Sequence, residues 1–287
     1  MEYKKTLNMP KSGFPMRAGL PKREPEMLKR WQDMDLYNEL LKKNEGKPLF
    51  SLHDGPPFSN GALHMGHALN KALKDFINRS YAMRGYYTPY IPGWDNHGMP
   101  IESAIIKEQR LNRKAMSVSE FRSACHRYAE KYVGIQREGF QRLGVLGDWD
   151  HPYLTMDPKF EAEEVKVFGK MYEKGYIYKG TYKGKYCTPC ESFWTESQLV
   201  DGKCPDCGAP VRRAKEEAYS FRMSKYADRL LEYIESHPGF IEPVSRQKEM
   251  INNFIKPGLQ DLCVSRSSFK WGIPVDFDEG HVVYVWL

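Results

Sequence analysis

The chain has 287 residues, 41% of them hydrophobic, and a net charge of +6, which allows one large core or two smaller ones. No apolar run reaches the ~18 residues of a membrane span, and Met1 to Lys5 lacks the apolar stretch of a signal peptide, so a cytoplasmic protein without a membrane partner is expected. The mild basicity admits an RNA partner and, equally, a solvated basic surface. Six cysteines, four of them in two Cys-x2-Cys pairs, suit metal binding in a reducing compartment better than disulfides.

In chain order, residues 1–24 are rich in Pro, Gly and Lys and are expected to lie extended over the surface. A helix is predicted over 24–43 from the apolar stripe Met27, Leu28, Trp31, Leu36, Leu40 and Leu41. Residues 48–107 alternate strand-like runs (49–52 and 86–92) with a helix over 68–83 and a Gly-rich loop over 93–98, an α/β pattern. Segments 118–143 and 158–175 read as amphipathic helices, punctuated by Gly144 and Gly147. Near Gly180 the character changes. Residues 182–213 read as short strand-like pieces and turns, 225–235 as a helix, and 254–262 as a helix end or turn. Residues 271–277 and 281–287 read as strands. The chain stops inside the last apolar run, which points to a truncated chain.

The first chemical signal is SLHDGPPFSNG (51–61) followed by HMGH (64–67). A strand-like run, a tight Gly/Pro/Asn turn and a helix N-terminus form the geometry that binds phosphate through backbone N–H groups and the helix dipole. Gly66 lets a nucleotide approach the backbone. His64 and His67 are suited to donate hydrogen bonds to phosphate oxygens as charge builds in a transition state. The second loop, GWDNHGMPIE (93–102), also follows a predicted strand. In a parallel sheet both loops open at the carboxyl ends of the strands, where ligands bind. Asp95 is then placed to hold a cation such as an α-ammonium, or else to cap a helix. His97 faces either ligand or core.

Cys187, Cys190, Cys204 and Cys207 have the spacing of a tetrahedral four-cysteine zinc site of the ribbon kind. Four protein ligands leave no position open for substrate, so such a site is structural. Cys125 and Cys263 carry no partner pattern and are expected to be buried or bland. Residues 222–225 superficially suggest a nucleotide-binding Lys loop, but no Gly-rich stretch surrounds them. A solvated helix start with Ser224 as a cap is the better reading. Trp286 is either a core residue or the wall of a substrate pocket.

HMGH together with GWDNHGMPIE resembles the first half of a class I aminoacyl-tRNA synthetase, in which HMGH is a form of the HIGH signature. Residues 1–180 are similar to a bacterial isoleucyl-tRNA synthetase, through NMPKSGFPMRAGLPKREPEMLKRW, LHDGPPFSNGALHMGHALNKALKDFI, PYIPGWDNHGMPIE and LGVLGDWDHPYLTMDPKFEAEEVKVFGKMYEKGYIYKG. That family often has Cys or Thr in place of Asn96 and Leu in place of Met99. From 181 onward, YCTPCESFWTESQLVDGKCPDCGAPV, SFRMSKYADRLLEYIESHPGFIEP, FIKPGLQDLCVSRSSFKWGIPVDF and HVVYVWL look instead like a methionyl-tRNA synthetase. The isoleucyl family's editing domain, expected near Tyr182, is missing. The chain therefore resembles a composite of the two, whether a fusion, a chimera or a mis-assembled fragment.

The resemblance implies an α/β chain: a Rossmann-like first half with an inserted zinc-ribbon connective module, cut before the second half is complete. It divides the chain into an N-terminal extension and helix (1–47), the first half of the catalytic domain (48–180), the zinc module (181–245) and a return into the catalytic domain (246–287). It implies ATP with Mg2+, an amino acid and tRNA as substrates or partners, one structural Zn2+, and a monomer. Asn60, His64, Gly66 and His67 would bind ATP, with the two histidines catalytic. Gly55, Pro56, Asp95, His97 and Trp286 would line the amino-acid site. Isoleucine is favoured over methionine because the first half supplies both loops. A non-catalytic tRNA-binding module is the reading of another class. The downstream KMSKS signature is absent, so little activation by this chain alone is expected.

Overall fold

The structure, a computed structural model, describes residues 8, 13, 18–188, 192–194, 199–205, 207–267 and 271–284, with Lys114 and Ser192 described in backbone only. It divides into two compact units, Met1–Ala115 with Phe121–Thr155, and Met116–Glu120 with Met156–Leu287.

In the first unit, the helix expected over 24–43 is two helices, α1 (Leu20–Asp33) and α2 (Leu36–Lys43). The break falls at Asp35, whose φ of 48° is left-handed. Aspartate tolerates that region better than most residues, and Asn38 Nδ2 donates to its carboxylate at 2.9 Å. Residues 20–24 belong to α1 rather than to an extended strap. The strand-like runs at 49–52 and 86–92 pair more sparsely than expected. Pro48, Pro56 and Pro57 on one side, and Pro89 and Pro92 on the other, withhold ladder donors. What remains are parallel bridges at Leu49–Tyr87 and Phe58–Asp95. Beyond them β1 (Gly93–Trp94) pairs in parallel with β2 (Tyr153–Leu154).

Three parallel segments thus lie side by side in the order 49–58, 87–95, 153–154. Helix α3 (Met65–Met83) connects the first to the second. Helices α4 (Met99–Gln109) and α5 (Val118–Arg142) connect the second to the third. This is the βαβ order expected of a parallel α/β sheet. Its core is Tyr90, Trp94, Val133, Phe140, Val145 and Trp149. Helix α3 is inverted in polarity: it buries Lys71, Asp75 and Asn78 while Leu69, Leu73 and Phe76 are exposed.

The second unit begins with α6 (Pro158–Glu173), capped by Asp157 through the Lys159 N–H at 3.0 Å. The region 182–213 holds short pieces as expected, a strand at Ser192–Trp194 and single bridges at Val200–Lys203 and Lys203–Pro210. At its ends it also contains parts of two long antiparallel strands, β3 (Ile177–Cys187) and β5 (Arg212–Phe221), joined by a continuous ladder from Ile177–Phe221 to Tyr186–Arg212. Strand β3 alternates Lys179, Thr181, Lys183 and Lys185 on one face with Tyr178, Tyr182 and Tyr186 on the other, and cross-strand hydrogen bonding supplies what local preference does not. Strand β4 (Ser192–Trp194) flanks β3, and β6 (Leu262–Cys263) flanks β5.

Helix α7 (Ala227–Ser236) follows a 3-10 turn at Met223–Tyr226. Ser224 is not its cap. The Ser224 N–H instead donates to Asp261 at 3.0 Å. Helix α8 (Val244–Met250) runs into a π turn, Ile251–Ile255, the expected helix end. The expected strand at 271–277 reduces to a bridge from Pro274 to Val282, because proline has no N–H and Gly272 sits at φ 142°. Strand β8 (Val282–Val283) pairs with β7 (Ser265–Arg266), and residues 285–287 lie outside the described residues. Phe168, Ile177, Tyr219, Val264 and Val275 form the core of this unit.

Gly93 is a position where only glycine fits: a Cβ there would stand 2.0 Å from Tyr153 Cζ. Gly93→Ala is expected to lower stability by ~1–3 kcal/mol through overpacking. Gly169→Ala, in open space on α6, is expected to raise it by ~0.5–1 kcal/mol. Denaturant midpoints of the two variants check both signs.

Candidate functional site

His64 is the N-cap of α3, with extended backbone angles of −125° and 172°. Its Nδ1 accepts the Gly66 N–H at 3.1 Å, and His67 Nδ1 accepts the His64 N–H at 3.3 Å. The two rings stack at 3.8 Å between centroids. This is a reciprocal capping box built from histidines in place of the usual Ser/Thr and Glu. Both Nδ1 atoms act as acceptors, so each neutral ring carries its hydrogen on Nε2. Burial, His64 and Lys71 all push the His67 pKa below the ordinary value, favouring that neutral form. Gly66 has a role not foreseen from nucleotide approach alone. A Cβ there would lie 2.9 Å from His64 Cε1, so glycine is what lets the ring fold back over the cap.

The two motif loops are stitched together. The Asp95 N–H donates to the Pro57 carbonyl at 2.9 Å and the Ser59 N–H to the Asp95 carbonyl at 3.1 Å. Asn96 Nδ2 donates to Ser59 Oγ at 2.8 Å. The Asp95 carboxylate does not cap α4, whose N-cap is Gly98. Among the described residues it receives a long bond, from the His97 N–H at 3.4 Å. Burial raises its pKa, with His97 opposing, as for a carboxylate that gains from a cationic partner. His97 turns its Nε2 to the Thr155 carbonyl at 2.8 Å. Asn60 accepts from Tyr128 Oη at 3.4 Å through its carbonyl, and Gly55 and Pro56 lie between Asp54 and the Phe58 bridge. Trp286 lies outside the described residues.

Two groups that sequence reasoning missed hold these loops. Gln136 on α5, fully buried, donates through Nε2 to the carbonyls of Phe58 at 3.0 Å and Gly61 at 2.8 Å. Its Oε1 accepts from Trp94 Nε1 at 2.9 Å. The available signal was a polar residue on the buried face of α5, in line with Ala129, Val133 and Phe140. The second group is Asp54, whose side chain is 0% exposed. Its carboxylate accepts from Lys71 Nζ, from Lys74 Nζ at 3.0 Å and from the Gly93 N–H at 3.1 Å. Tyr153 Oη donates to its backbone carbonyl at 3.0 Å.

Burial opposes ionisation of Asp54, but Lys71, Lys74 and Gly93 overcome it and hold the carboxyl below its usual range. Burial lowers Lys71, with Asp54 opposing. Lys71 is four residues after His67, one turn below it on the same helix face, which was the legible signal for this pair.

In the second unit, Cys187, Cys204 and Cys207 bring their sulfurs within 4.8 Å of one another. Cys187 and Cys207 are 3.5 Å apart, near the about 3.8 Å between sulfurs of a tetrahedral zinc site with 2.3 Å bonds. Cys187 and Cys204 are buried. Cys190 lies outside the described residues. Cys125 is half-buried and Cys263 buried. Burial, aided by Glu102, pushes the Cys125 thiol up to about 11, so it is inert rather than nucleophilic.

Lys71→Met leaves the buried Asp54 with Lys74 and the Gly93 N–H as partners and is expected to destabilise the chain by ~1–3 kcal/mol, whereas Asp54→Leu, which strands the buried Lys71, is expected to lose ~3–5 kcal/mol. Equilibrium unfolding of both variants checks the order.

An isoleucine–tRNA ligase of Natranaerobius thermophilus is 57% identical over 199 residues, 69% of this chain and 22% of that protein. One of Moorella thermoacetica is 56% identical over 203 residues, 71% of this chain and 22% of that protein. The chain thus spans about a fifth of the length of these relatives. Among solved structures, the methionyl-tRNA synthetase of Mycobacterium tuberculosis bound by methionyl-adenylate aligns with a TM-score of 0.65 at 30% identity, covering 84% of this chain and 45% of that one. Both likenesses carried by the motifs, isoleucyl and methionyl, therefore recur. Residues 26–280 match the profile of the tRNA synthetases class I (I, L, M and V), and the chain belongs to that family.

Proposed function

We propose that the chain carries the amino-acid-activating half-site of an isoleucine–tRNA ligase. The observation that supports it most is the histidine capping box on α3, joined by backbone hydrogen bonds to the loop bearing Asp95. In this reading a carboxylate oxygen of isoleucine attacks the α-phosphate of ATP. The bond to the β-phosphate breaks and pyrophosphate leaves; a tRNA ribose hydroxyl then attacks the acyl carbon of the adenylate, the acyl–phosphate bond breaks, and AMP and the hydroxyl proton leave. His64 and His67, with Nδ1 occupied by the cap, present Nε2–H to the phosphate oxygens as charge builds there. The N-terminus of α3 adds its dipole. Mg2+ accompanying ATP would neutralise phosphate charge there.

Asp95 holds the substrate ammonium, which offsets the burial that raises its pKa. Gly55, Pro56 and His97 border the amino acid, with Trp286 as a further wall, and Asn60 and Gly66 border ATP. Residues 1–47, 48–180, 181–245 and 246–287 serve as extension, first catalytic half, connective module and return, working as a cytoplasmic monomer. Among the described residues no helix is long and apolar enough to cross a membrane. Methionine is the second reading, favoured by the likeness to the methionyl enzyme over 84% of the chain.

Calorimetry with non-hydrolysable isoleucyl- and methionyl-adenylate analogues tests this. The isoleucyl analogue is expected to bind more tightly, and Asp95→Asn to weaken it ~10–100-fold, the worth of one charge-assisted hydrogen bond. Tighter methionyl binding selects the second reading. Binding of neither analogue overturns the proposal in favour of a non-catalytic tRNA-binding module.

The same reading gives the cysteine cluster one structural Zn2+, held by Cys187, Cys204 and Cys207 with Cys190 as fourth ligand by its spacing. Such an ion staples the ends of β3 and β5 and supplies folding energy rather than chemistry. Metal analysis of the purified chain is expected to give one zinc per chain. Cys204→Ser is expected to lose it and lower the melting temperature. A metal-free, equally stable wild-type chain contradicts the assignment.

A further inference from the structure

Gln136 closes a ring of hydrogen bonds between the two motif loops. Its Nε2 donates to the Phe58 carbonyl at 3.0 Å and the Gly61 carbonyl at 2.8 Å, and its Oε1 accepts from Trp94 Nε1 at 2.9 Å. Phe58 and Gly61 precede HMGH in the first loop, and Trp94 is the neighbour of Asp95 in the second. The ring closes through the backbone, where the Ser59 N–H donates to the Asp95 carbonyl at 3.1 Å. In a trans peptide the N–H points opposite the carbonyl. A Phe58 carbonyl held on α5 therefore aims the Ser59 N–H away from that helix, where it meets Asp95.

Stability alone does not call for an amide at this position. Ala129, Val133 and Phe140 lie on the same buried face of α5 and pack without a polar side-chain atom, and a satisfied buried hydrogen bond adds little net stability. What a fully satisfied polar network supplies is a single geometry. Gln136 is 0% exposed, so water does not compete for its three partners.

That geometry separates the groups proposed above to hold the two ends of the reactants. His64 and His67 meet phosphate, and Asp95 meets the amino-acid ammonium. Attack needs the reacting atoms about 3–3.5 Å apart, and a displacement of about 1 Å costs about 100-fold.

We propose that Gln136 is a positioning residue of the activation site, setting the separation between the histidine end of α3 and the Asp95 carboxylate. The inference rests on the function proposed above. Its consequence is a loss that falls on a ligand engaging both loops at once and spares ligands that engage mainly one.

Calorimetry on the whole chain compares three probes: the non-hydrolysable isoleucyl-adenylate analogue, ATP alone and isoleucine alone. Gln136→Met is expected to weaken the analogue ~10–100-fold, and ATP or isoleucine by no more than about twofold. Val133→Ala, in the same core one turn away, is expected to lower the melting temperature through its cavity and leave analogue affinity unchanged. Gln136→Glu keeps the shape and the acceptor for Trp94 but offers at most one donor to two carbonyls. It is expected to fall between the wild type and Gln136→Met, and it decides the question if Gln136→Met does not fold. The proposal is overturned if the Gln136 variants weaken all three probes alike, or if Val133→Ala weakens the analogue as much as they do. Wild-type binding of the analogue that both Gln136 variants retain overturns this inference alone. A wild-type chain that binds no analogue overturns the activation reading and this inference together.

Discussion

Asp54 carries a carboxylate that water does not reach, and three donors from separate parts of the chain converge on it. Lys71 and Lys74 come from α3, and the Gly93 N–H comes from β1. An isolated buried carboxylate is too costly to remain ionised, so the first loop, the helix behind HMGH and the second strand must stay in register to satisfy it. The cluster holds two ammonium groups against one carboxylate. The surplus positive charge lies about two to three turns into α3, behind the helix end proposed to meet phosphate. The same lysine that neutralises Asp54 also disfavours protonation of His67. One ion cluster thereby supports the fold and biases the charge state of the site.

The HMGH segment illustrates how a chemical signature also carries structural weight. The Nδ1 atoms of both histidines are committed to the backbone of their own helix, and Gly66 is required by the His64 ring as much as by any ligand. A substitution in this segment therefore perturbs helix capping and ligand contacts together. Gln136 extends the argument to a residue with no signature at all. One buried amide satisfies two loop carbonyls and an indole N–H, so the loop that bears the motif is shaped from α5.

The second unit is organised on another principle. Its long hairpin is rich in lysine, arginine and glutamate, and its apolar core lies near Ile177, Tyr219 and Phe168. Toward the cysteine end the hairpin carries little apolar material. There Cys187, Cys204 and Cys207 cluster instead.

The sequence alone was enough for the features set by local rules. HMGH and the Asp95 loop follow from residue type and spacing, as does the cysteine pattern. Helices α5 and α6 follow from apolar periodicity. Local rules failed where the partner is distant in sequence. The long β3–β5 ladder depends on pairing between two strands far apart in the chain, whereas the split at Asp35 turns on a left-handed residue and a nearby contact with Asn38. The sparse bridging of the parallel segments follows from which prolines face a neighbour. Asp54, Lys71 and Gln136 became legible as a unit only in three dimensions. Burial and hydrogen-bond satisfaction are properties of the assembled neighbourhood, and no single stretch of chain contains all the groups that must meet.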